Sequence, residues 1–352
     1  MIDFYRSKNV LVTGHTGFKG SWLSKVLTDM GANVFGYSLL PNKTPNLFSL
    51  CEFSGRLTST IGDIRNLDQL KKLFEQAQPD IVFHLAAQPL VSEGYSSPVY
   101  TYETNVMGTV NVLECIRMSD NVKSFVNITT DKVYHNNEWT WGYRETDVLN
   151  GYDPYANSKS CSELVTDCYK KSFFQNRDIS ISTVRAGNVI GGGDFSELRI
   201  IPDCVRAAIN ETPIELRNPN SIRPYQFVLE PVFAYLLLAM KQYQNNFYSD
   251  CYNVGPEEKD CITTLDLVNL FAESWGNGLA VKAADTTTFH ESTFLRLDSS
   301  KVKSKLGWKP ILDIKQAVSL TVEFYKSYYT NPEEINSLMM KQIEQYISLF
   351  KY

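Results

Sequence analysis

A tyrosine and a lysine stand four residues apart at the start of a predicted helix. Tyr155 and Lys159 follow the pair Asp153-Pro154, and residues four apart share one face of a helix. The lysine ammonium therefore lies beside the phenol, lowers its pKa and allows the tyrosine to accept a proton near neutral pH. The chain has 20 tyrosines, so about one such spacing is expected by chance. Its significance depends on where the fold places it.

A second polar run, Thr129-Thr130-Asp131-Lys132, ends the strand predicted over residues 124–129. Ligands of open α/β sheets bind at the carboxyl ends of the strands, so this run faces the same crevice as the tyrosine. Thr130 offers a hydrogen bond to a substrate hydroxyl, while Asp131 and Lys132 are an adjacent acid and base. In another position the run would be a surface turn with an incidental ion pair. Here it predicts a site of proton transfer.

Three glycines spaced three residues apart connect the first predicted strand, 8–13, to the first predicted helix, 20–30. Gly14 permits a tight turn, Gly17 lets the backbone approach a pyrophosphate, and Gly20 lets the helix pack against the sheet. The N-terminus of that helix then offers N–H donors and the positive end of its dipole to phosphate groups. A glycine-rich turn without a ligand is the alternative, but the position after the first strand favours a dinucleotide.

Two further positions bear on that dinucleotide. Asp63 follows the third predicted strand, where it either accepts a hydrogen bond from an adenine amino group or stabilises a turn. The second strand ends in Gly36-Tyr37-Ser38-Leu39-Leu40, without the carboxylate that holds the ribose hydroxyls of NAD or an arginine for the 2′-phosphate of NADP. Lys43 is the nearest base. These residues leave the choice between NAD and NADP open.

Short apolar runs alternate with helical patterns through the first half of the chain. Strands are predicted over residues 8–13, 33–39, 57–61, 80–86, 124–129 and 179–185, and helices over 20–30, 68–76, 99–118 and 158–173. Apolar runs without alternation indicate strands that are covered on both faces, and helices between them indicate right-handed crossovers. The predicted fold class is therefore α/β, with a doubly wound parallel sheet of the Rossmann type.

The pattern changes in the second half, where glycines 191–193 and five prolines between 202 and 231 separate shorter elements. This composition predicts a smaller, mixed C-terminal substrate lobe. We divide the chain into a dinucleotide-binding domain, 1–187, and a substrate-binding lobe, 188–352, with elements free to cross back. The tail carries an apolar stripe that predicts a helix docked on its own domain, formed by Ile335, Leu338, Met339, Ile343, Tyr346, Ile347 and Phe350.

Composition argues against several other classes of function. The net charge is −5 over 352 residues and the pI is about 5.5, unlike a nucleic-acid binder with a basic face. No apolar run approaches the ~20 residues of a membrane span, and the first residues contain no signal-peptide core. The seven cysteines are scattered without a Cys-x-x-Cys pair, and the four histidines lack metal-ligand spacing. We therefore expect a cytoplasmic protein without a metal, and without a membrane or nucleic acid as partner.

The chain resembles, over nearly its full length, the extended short-chain dehydrogenases/reductases that act on nucleotide sugars. The matching segments run from Thr13-Gly14-His15-Thr16-Gly17-Phe18-Lys19-Gly20-Ser21-Trp22 to Leu306-Gly307-Trp308-Lys309-Pro310 and include 85–91, 104–109 and 223–226. The most specific is Glu138-Trp139-x-Trp141-Gly142-Tyr143-Arg144-Glu145. Members that remove water carry Thr-Asp-Glu where this chain has Thr130-Asp131-Lys132, and the lysine resembles the branch that acts on CDP-glucose.

This resemblance implies a sugar-nucleotide 4,6-dehydratase with NAD as cofactor, a CDP-hexose as substrate, and a homodimer or dimer of dimers as assembly. The implied catalytic residues are Thr130, Asp131 as general acid, Lys132 as general base, Tyr155 and Lys159. The implied cofactor contacts are Gly14, His15, Thr16, Gly17, Phe18, Lys19, Gly20, Asp63, Ile64, Leu85, Ala86, Ala87, Gln88, Thr104, Tyr155 and Lys159. The implied substrate contacts are Thr130, Asn188, Arg199, Arg223, Gln226 and Glu291.

Three alternatives stand beside this interpretation. Ser92-Glu93-Gly94 depart from the family pattern, in which a basic residue and a serine precede the tyrosine, so a dehydratase acting on another CDP- or GDP-linked sugar is one alternative. A nucleotide-sugar 4-epimerase would share the glycine loop and Tyr155, but it would have no use for an acid and a base such as Asp131 and Lys132. A dinucleotide sensor without turnover would need none of the catalytic set.

Overall fold

The computed structural model describes residues 1–41, 43–276, 279–283 and 293–351. Its strands are β1 (Asn9–Thr13), β2 (Asn33–Ser38), β3 (Leu57–Ile61), β4 (Ile81–His84), β5 (Ser124–Ile128), β6 (Ser180–Ala186), β7 (Val189–Ile190), β8 (Ile214–Leu216), β9 (Ile222–Arg223), β10 (Gln226–Phe227), β11 (Cys251–Val254), β12 (Ile262–Thr263) and β13 (Val281–Ala283). Its helices are α1 (Ile2–Tyr5), α2 (Phe18–Asp29), α3 (Leu67–Ala77), α4 (Val91–Ser96), α5 (Pro98–Tyr102), α6 (Gly108–Arg117), α7 (Pro154–Phe173), α8 (Ile200–Ile209), α9 (Leu229–Gln244), α10 (Thr264–Trp275), α11 (Ser300–Leu306), α12 (Ile314–Thr330) and α13 (Ile335–Leu349). None of the helices in these ranges has the length and apolar character needed to cross a membrane.

Seven strands form one parallel sheet in the order β11-β6-β5-β4-β1-β2-β3. Val12 of β1 lies opposite Gly36 of β2 on one side and Phe83 of β4 on the other. The strands β1, β4, β5 and β6 are buried along almost their whole length, as expected of a parallel sheet with helices on both faces. The predicted doubly wound α/β fold is confirmed.

The order of the strands reverses between β1 and β4, and this reversal opens a crevice at their carboxyl ends. Thr13 ends β1, His84 ends β4 and Ile128 ends β5. The loops that leave these three ends carry the glycine motif, residues 85–88 and the polar run after β5. The topology therefore brings the three predicted segments to one edge of the sheet.

The chain beyond residue 187 contributes to this sheet as well as to a second lobe. β11 pairs with β6, and α9 covers the sheet, where the Gln242 amide donates to the Phe125 carbonyl (3.0 Å). The second lobe contains the strand pairs β7 with β10, β8 with β13 and β9 with β12. The division at residue 187 stays a prediction, because β11 and α9 return to the layer built by the first half.

Two helices differ from their predicted extent. The helix predicted over 99–118 consists of α5, a π-helical turn at Glu103–Met107 and α6. Within that turn, Asn105 accepts the Gln88 N–H (2.8 Å) and donates to the Gln88 carbonyl (3.1 Å). Helix α7 begins before residue 158, because the Asp153 carboxylate accepts the Ala156 N–H (3.0 Å) as N-cap. Tyr155 therefore lies in its first turn.

The last helix, α13, docks on its own chain through the apolar stripe, as predicted. The Tyr346 ring packs against Phe233 with 4.7 Å between ring centroids. Next to these rings Glu230 is buried, and its carboxylate accepts the N–H groups of Ile311 (2.9 Å) and Leu312 (2.7 Å) and the Tyr346 hydroxyl (2.8 Å). Burial outweighs these three donors and raises the pKa of Glu230 to about 7.

We expect Glu230 to make the stability of the protein pH-dependent. Its folded-state pKa lies above the unfolded value of about 4.3, so its stabilising effect is full below the unfolded pKa and is lost as the pH rises through about 7. From about pH 5 to pH 8 the free energy of unfolding of the wild type should fall by about 1–3 kcal/mol relative to Glu230→Gln. Urea unfolding at both pH values measures this, with Glu75→Gln, exposed on α3, as the control. Equal pH dependence of the wild type and Glu230→Gln would contradict the prediction.

Candidate active site

The glycine loop joins β1 to α2 and leaves no room for a side chain at its first and last glycines. Gly14 has a φ of 77°, and a Cβ there would lie 2.7 Å from the backbone nitrogen of Ala86. A Cβ on Gly20 would collide with the Gly14 carbonyl. Gly17 is the N-cap of α2 and provides no side-chain cap, so the first N–H groups of this helix are left for a ligand. The loop fits the pyrophosphate of a dinucleotide.

The side chains of the two polar residues after Gly14 contact β3 and the end of β2. The His15 ring is fully buried, packs where Gly36 has no side chain, and lies with Nε2 2.7 Å from the Ser59 hydroxyl. The Thr16 hydroxyl lies 2.8 Å from the Ser38 hydroxyl at the end of β2. A side-chain contact from His15 to the cofactor stays a prediction, and the end of β2 presents neutral hydroxyls.

Asp63 is held by Arg65 two residues later. Its carboxylate accepts the Arg65 backbone N–H (2.9 Å) and the guanidinium Nε (3.1 Å) and Nη2 (2.7 Å). These bonds hold the pKa of Asp63 below its usual range, and the guanidinium also donates to Glu103 (2.9 Å). The next residue, Ile64, is buried against Gly108. Of the two predicted roles of Asp63, these contacts match the stabilisation of a turn. A contact between Asp63 and an adenine stays a prediction.

The loop of residues 85–88 lies against the glycine loop. The Ala86 N–H donates to the Thr13 hydroxyl (3.2 Å), and the Gln88 amide donates to the Leu90 carbonyl (3.0 Å).

The Thr104 hydroxyl is buried and has no hydrogen-bond partner among the described residues. A buried polar group of this kind calls for a partner from outside the chain. It is suited to contact a ligand.

A cavity of about 340 Å³ lies at the carboxyl ends of the strands, where the second lobe meets the sheet. Its lining includes residues predicted from separate motifs: Phe18, Lys19, Thr130, Asp131, Lys132, Tyr155, Asn188, Arg199 and Arg223. Gln226 lies behind the lining, where its buried amide donates to the Val254 carbonyl (2.9 Å). Glu291 lies outside the described residues. The cavity therefore brings together four of the five predicted catalytic residues, all except Lys159. It also includes three further predicted substrate contacts, Asn188, Arg199 and Arg223.

Asp131 is 2% exposed and lies in the short turn that follows β5. Its Oδ1 accepts the Thr130 hydroxyl (3.0 Å), whereas Oδ2 has no partner in the described part of the chain. Burial raises the pKa of Asp131, and the charge of Lys132 opposes that rise. Lys132 is half-buried in the same turn. A carboxylic acid held toward its neutral form is suited to donate a proton, and Lys132, the next residue, lines the same cavity.

Tyr155 reaches the cavity from the first turn of α7. Burial raises the pKa of Tyr155 to about 12, while the neighbouring Thr130 side chain and the charge of Arg199 oppose that rise. The Lys159 ammonium donates to the Ile128 carbonyl (3.2 Å), and burial lowers the pKa of Lys159 to about 7. Thr130 and Arg199, rather than Lys159, therefore lower the phenol pKa here, because the buried lysine is only partly charged near neutral pH.

Asp194 is a residue of the site that the sequence did not single out. It is buried after the glycines 191–193, and its carboxylate accepts the Arg199 guanidinium (2.9 Å). Lys19 extends from the glycine loop into the same cavity, and burial lowers the pKa of Lys19 to about 8. Two cations from different parts of the chain thus line one cavity, an arrangement that suits phosphate groups. Only the position of Asp194 after three glycines could have indicated it.

The segment that departs from the family pattern lies directly beside Tyr155. Ser92 lines the cavity. A Cβ on Gly94 would lie 3.1 Å from the Tyr155 backbone nitrogen, so this glycine lets α4 pack closely against the first turn of α7. The departures at 92 and 94 therefore adjoin the cavity rather than a remote surface.

Comparisons with known proteins find relatives over nearly the whole chain. Residues 11–321 match the family described as GDP-mannose 4,6 dehydratase. The CDP-glucose 4,6-dehydratase of Salmonella typhimurium is 43% identical, over 99% of this chain and 99% of its own. The dTDP-glucose 4,6-dehydratase of Haemophilus influenzae is 27% identical, over 90% of this chain and 97% of its own.

Solved structures share the fold at lower identity. The UDP-glucose 4-epimerase of Thermotoga maritima, solved with UDP-glucose, has a TM-score of 0.80 and 22% identity, covering 91% of this chain and 99% of its own. The dTDP-glucose 4,6-dehydratase of Bacillus anthracis, solved in complex with NAD, has a TM-score of 0.77 and 21% identity, covering 94% of this chain and 100% of its own. The predicted resemblance is confirmed. Since the family match spans most of its length, the chain belongs to the GDP-mannose 4,6 dehydratase family.

Proposed function

We propose that this protein is a CDP-glucose 4,6-dehydratase. It converts CDP-D-glucose into CDP-4-keto-6-deoxy-D-glucose and water, and the hydride taken from C4 returns to C6. Full-length similarity to the Salmonella typhimurium enzyme supports the assignment. The observation that carries it is one cavity lined by Tyr155 together with Thr130, Asp131 and Lys132, because oxidation at C4 and loss of water across C5–C6 require both groups.

NAD is the cofactor. Gly14, Gly17 and Gly20, with the first N–H groups of α2, would hold its pyrophosphate. Thr104, whose buried hydroxyl has no partner among the described residues, would add a hydrogen bond. When bound, the nicotinamide supplies a reversible acceptor for the hydride of the sugar C4.

We expect the protein to bind NAD at least about tenfold more tightly than NADP. Thr16 and Ser38 present neutral hydroxyls at the end of β2. Lys43 is paired with Glu197 (2.7 Å), so none of these groups offers a free positive charge to a 2′-phosphate. Titration of both nucleotides, followed by tryptophan fluorescence, measures the two dissociation constants. Tighter binding of NADP would overturn the expectation.

The oxidation half of the reaction uses Tyr155. Its phenolate takes the proton of the sugar 4-hydroxyl as the C4 hydride leaves, while Thr130 hydrogen-bonds to the same hydroxyl. Because burial raises the pKa of Tyr155 to about 12, the base depends on positive charge nearby. Arg199 lowers that pKa, and the positive charge of bound oxidised NAD would lower it further toward neutrality.

The elimination half uses Asp131 and Lys132. The 4-ketone makes the C5 hydrogen acidic, so Lys132 removes it as a proton and Asp131 protonates the 6-hydroxyl, which leaves as water. These roles require a neutral lysine and a protonated aspartic acid. Burial raises the pKa of Asp131, and a pair that shares one proton reaches this state when the proton passes from Lys132 to Asp131. Return of the hydride to C6 and of a proton to C5 completes the product.

One assay separates this function from its alternatives. Purified protein with NAD and CDP-glucose should form a 4-keto sugar, detected by its absorbance in alkali. A 4-epimerase would form the C4 epimer without that absorbance, and a dinucleotide sensor would leave the sugar unchanged. UDP-, dTDP- and GDP-glucose serve as matched substrates, because the departures at Ser92 and Gly94 bear on the choice of sugar nucleotide. Faster turnover of any of these would replace CDP-glucose as the substrate.

We infer that the protein is a cytoplasmic homodimer. Val99, Met107 and Leu164 are exposed on α5, the π-helical turn and α7, and the Tyr102 hydroxyl donates to Asn157 (2.8 Å) to join α5 to α7. Pairing these helices with those of a second copy would cover this apolar face as a four-helix bundle. All seven cysteines are free thiols, which suits a reducing compartment. Light scattering should give twice the chain mass of 40.0 kDa, or four times for a dimer of dimers, and a monomer would contradict the inference.

A further inference from the structure

A buried ion pair lies behind the turn that follows β5. Glu163 on α7 and Arg185 on β6 are each 3% exposed. Arg185 donates from Nε to Oε1 of Glu163 (3.0 Å) and from Nη2 to Oε2 (2.9 Å). Glu163 follows Tyr155 and Lys159 at intervals of four, so the three share one face of α7. The ion pair thus belongs to the same helix face as the proposed proton acceptor.

The Glu163/Arg185 pair is hydrogen-bonded to the residues on either side of residues 130–133, hereafter the 130–133 turn. Before the turn, the Thr129 hydroxyl donates to Oε1 of Glu163. After the turn, Arg185 donates from Nη1 to the Tyr134 hydroxyl (2.8 Å). Two of the hydrogen bonds that hold Asp131 relative to α7 therefore meet at one ion pair, beside the bond that the Ser160 hydroxyl on α7 donates to the Val133 carbonyl (2.7 Å).

Further hydrogen bonds link the pair to β6 directly and to β11 through Tyr134. The Thr183 hydroxyl on β6 donates to Oε2 of Glu163 (2.6 Å), and the Tyr134 hydroxyl donates to Asn253 on β11 (2.6 Å). Removing two charges from water costs free energy that apolar side chains would not cost, so stability alone is a weak reason for such a pair. What a buried, fully bonded carboxylate and guanidinium provide is a fixed geometry among their partners.

We propose that the Glu163/Arg185 pair positions the 130–133 turn against Tyr155 and Lys159, so that the groups for oxidation and for elimination keep one geometry. The proposal rests on the proposed function. Glu163 and Arg185 are positioning residues, because they act through Thr129 and Tyr134. Misplacement of a reacting group by about 1 Å can cost on the order of 10²-fold in rate. Loss of either hydrogen bond should therefore lower the turnover rate more than it weakens substrate binding.

Three variants each remove one hydroxyl and leave the ion pair in place. Thr129→Val and Tyr134→Phe remove the bonds before and after the 130–133 turn. Thr183→Val is the matched control, since it removes the other hydroxyl that bonds to the Glu163 carboxylate, on a strand that does not lead into the turn. With NAD and CDP-glucose we expect the first two to lower kcat by about tenfold with KM within about twofold, and Thr183→Val to keep the wild-type kcat. Thr129→Ser, which retains the hydroxyl, should restore kcat.

Two readouts distinguish positioning from a loss of stability. Urea midpoints measure the folding of each variant, and absorbance of reduced nicotinamide should rise in the steady state of Thr129→Val and Tyr134→Phe, because a displaced turn slows elimination more than oxidation. Equal kcat in all variants, or a loss in Thr183→Val as large as in Thr129→Val, would overturn the positioning role. If Thr129→Val does not fold, Tyr134→Phe decides from the other end of the turn. A wild type that forms no keto sugar from CDP-glucose would instead overturn the proposed function, and the inference with it.

Discussion

Replacement of Tyr155 by phenylalanine should abolish hydride transfer and leave nucleotide-sugar binding nearly intact. The variant keeps the ring in the first turn of α7 but loses the hydroxyl that takes the proton of the sugar 4-hydroxyl. We expect kcat to fall by about 10²–10⁴-fold. The dissociation constant for CDP-glucose should change little, because the ring still fills its place in the cavity. Steady-state kinetics and titration calorimetry measure the two quantities.

Tyr152→Phe is the matched control for this substitution. Tyr152 lies three residues earlier and is 75% exposed, so its variant should retain wild-type turnover. A Tyr155→Phe protein that keeps more than about a tenth of the wild-type kcat, a change of less than about 1.4 kcal/mol in the barrier, would contradict the assigned role.

The main parts of the site were predictable because each is a local pattern attached to one strand end or one helix start. The glycine loop follows β1, the polar run with Asp131 follows β5, and Tyr155 begins α7. Parallel strands point their carboxyl ends to the same edge of the sheet, so a correct fold class was enough to bring these patterns together. The cavity that contains Lys19, Asp131 and Tyr155 follows from that topology.

Partners that are distant in sequence were not predictable. β11 pairs with β6 although the whole of α8 and α9 lies between them in the chain. Glu163 and Arg185 each look like an ordinary charged residue in a helix and a strand. Their ion pair exists only because α7 packs over β6. A pattern confined to one element contains no information about such a partner.

The direction and the burial of side chains were also not predictable from the sequence. The family resemblance implied a cofactor contact for His15, and the sequence could not show that the absence of a side chain at Gly36 opens a space that the His15 ring fills. The pairing of Tyr155 with Lys159 predicted a lowered phenol pKa, whereas burial raises the pKa of Tyr155 to about 12. Desolvation depends on the depth of a group in the folded chain, and spacing along a helix does not specify that depth.

Lys132→Met and Asp131→Asn should leave the oxidation at C4 in place and stop the reaction before water is lost. Tyr155 is still present, so hydride transfer proceeds and reduced nicotinamide accumulates on the enzyme, visible in the near ultraviolet. Loss of water should slow by roughly 10²–10⁴-fold, the usual contribution of one proton-transfer group. Stopped-flow absorbance follows the first step, and the keto-sugar assay follows the second. Lys341→Met, exposed on α13, is the control and should match the wild type in both.

The two residues should behave as one unit. The charge of Lys132 lowers the pKa of Asp131. Removing the lysine therefore also takes a neighbouring positive charge from the buried acid, so part of the loss in rate is electrostatic. The double variant should therefore lose much less than the product of the two single losses. Unimpaired product formation by both single variants would remove the dehydratase assignment and favour a 4-epimerase. Loss of the first hydride transfer would mean instead that the pair is structural and holds the Thr130 hydroxyl against the sugar.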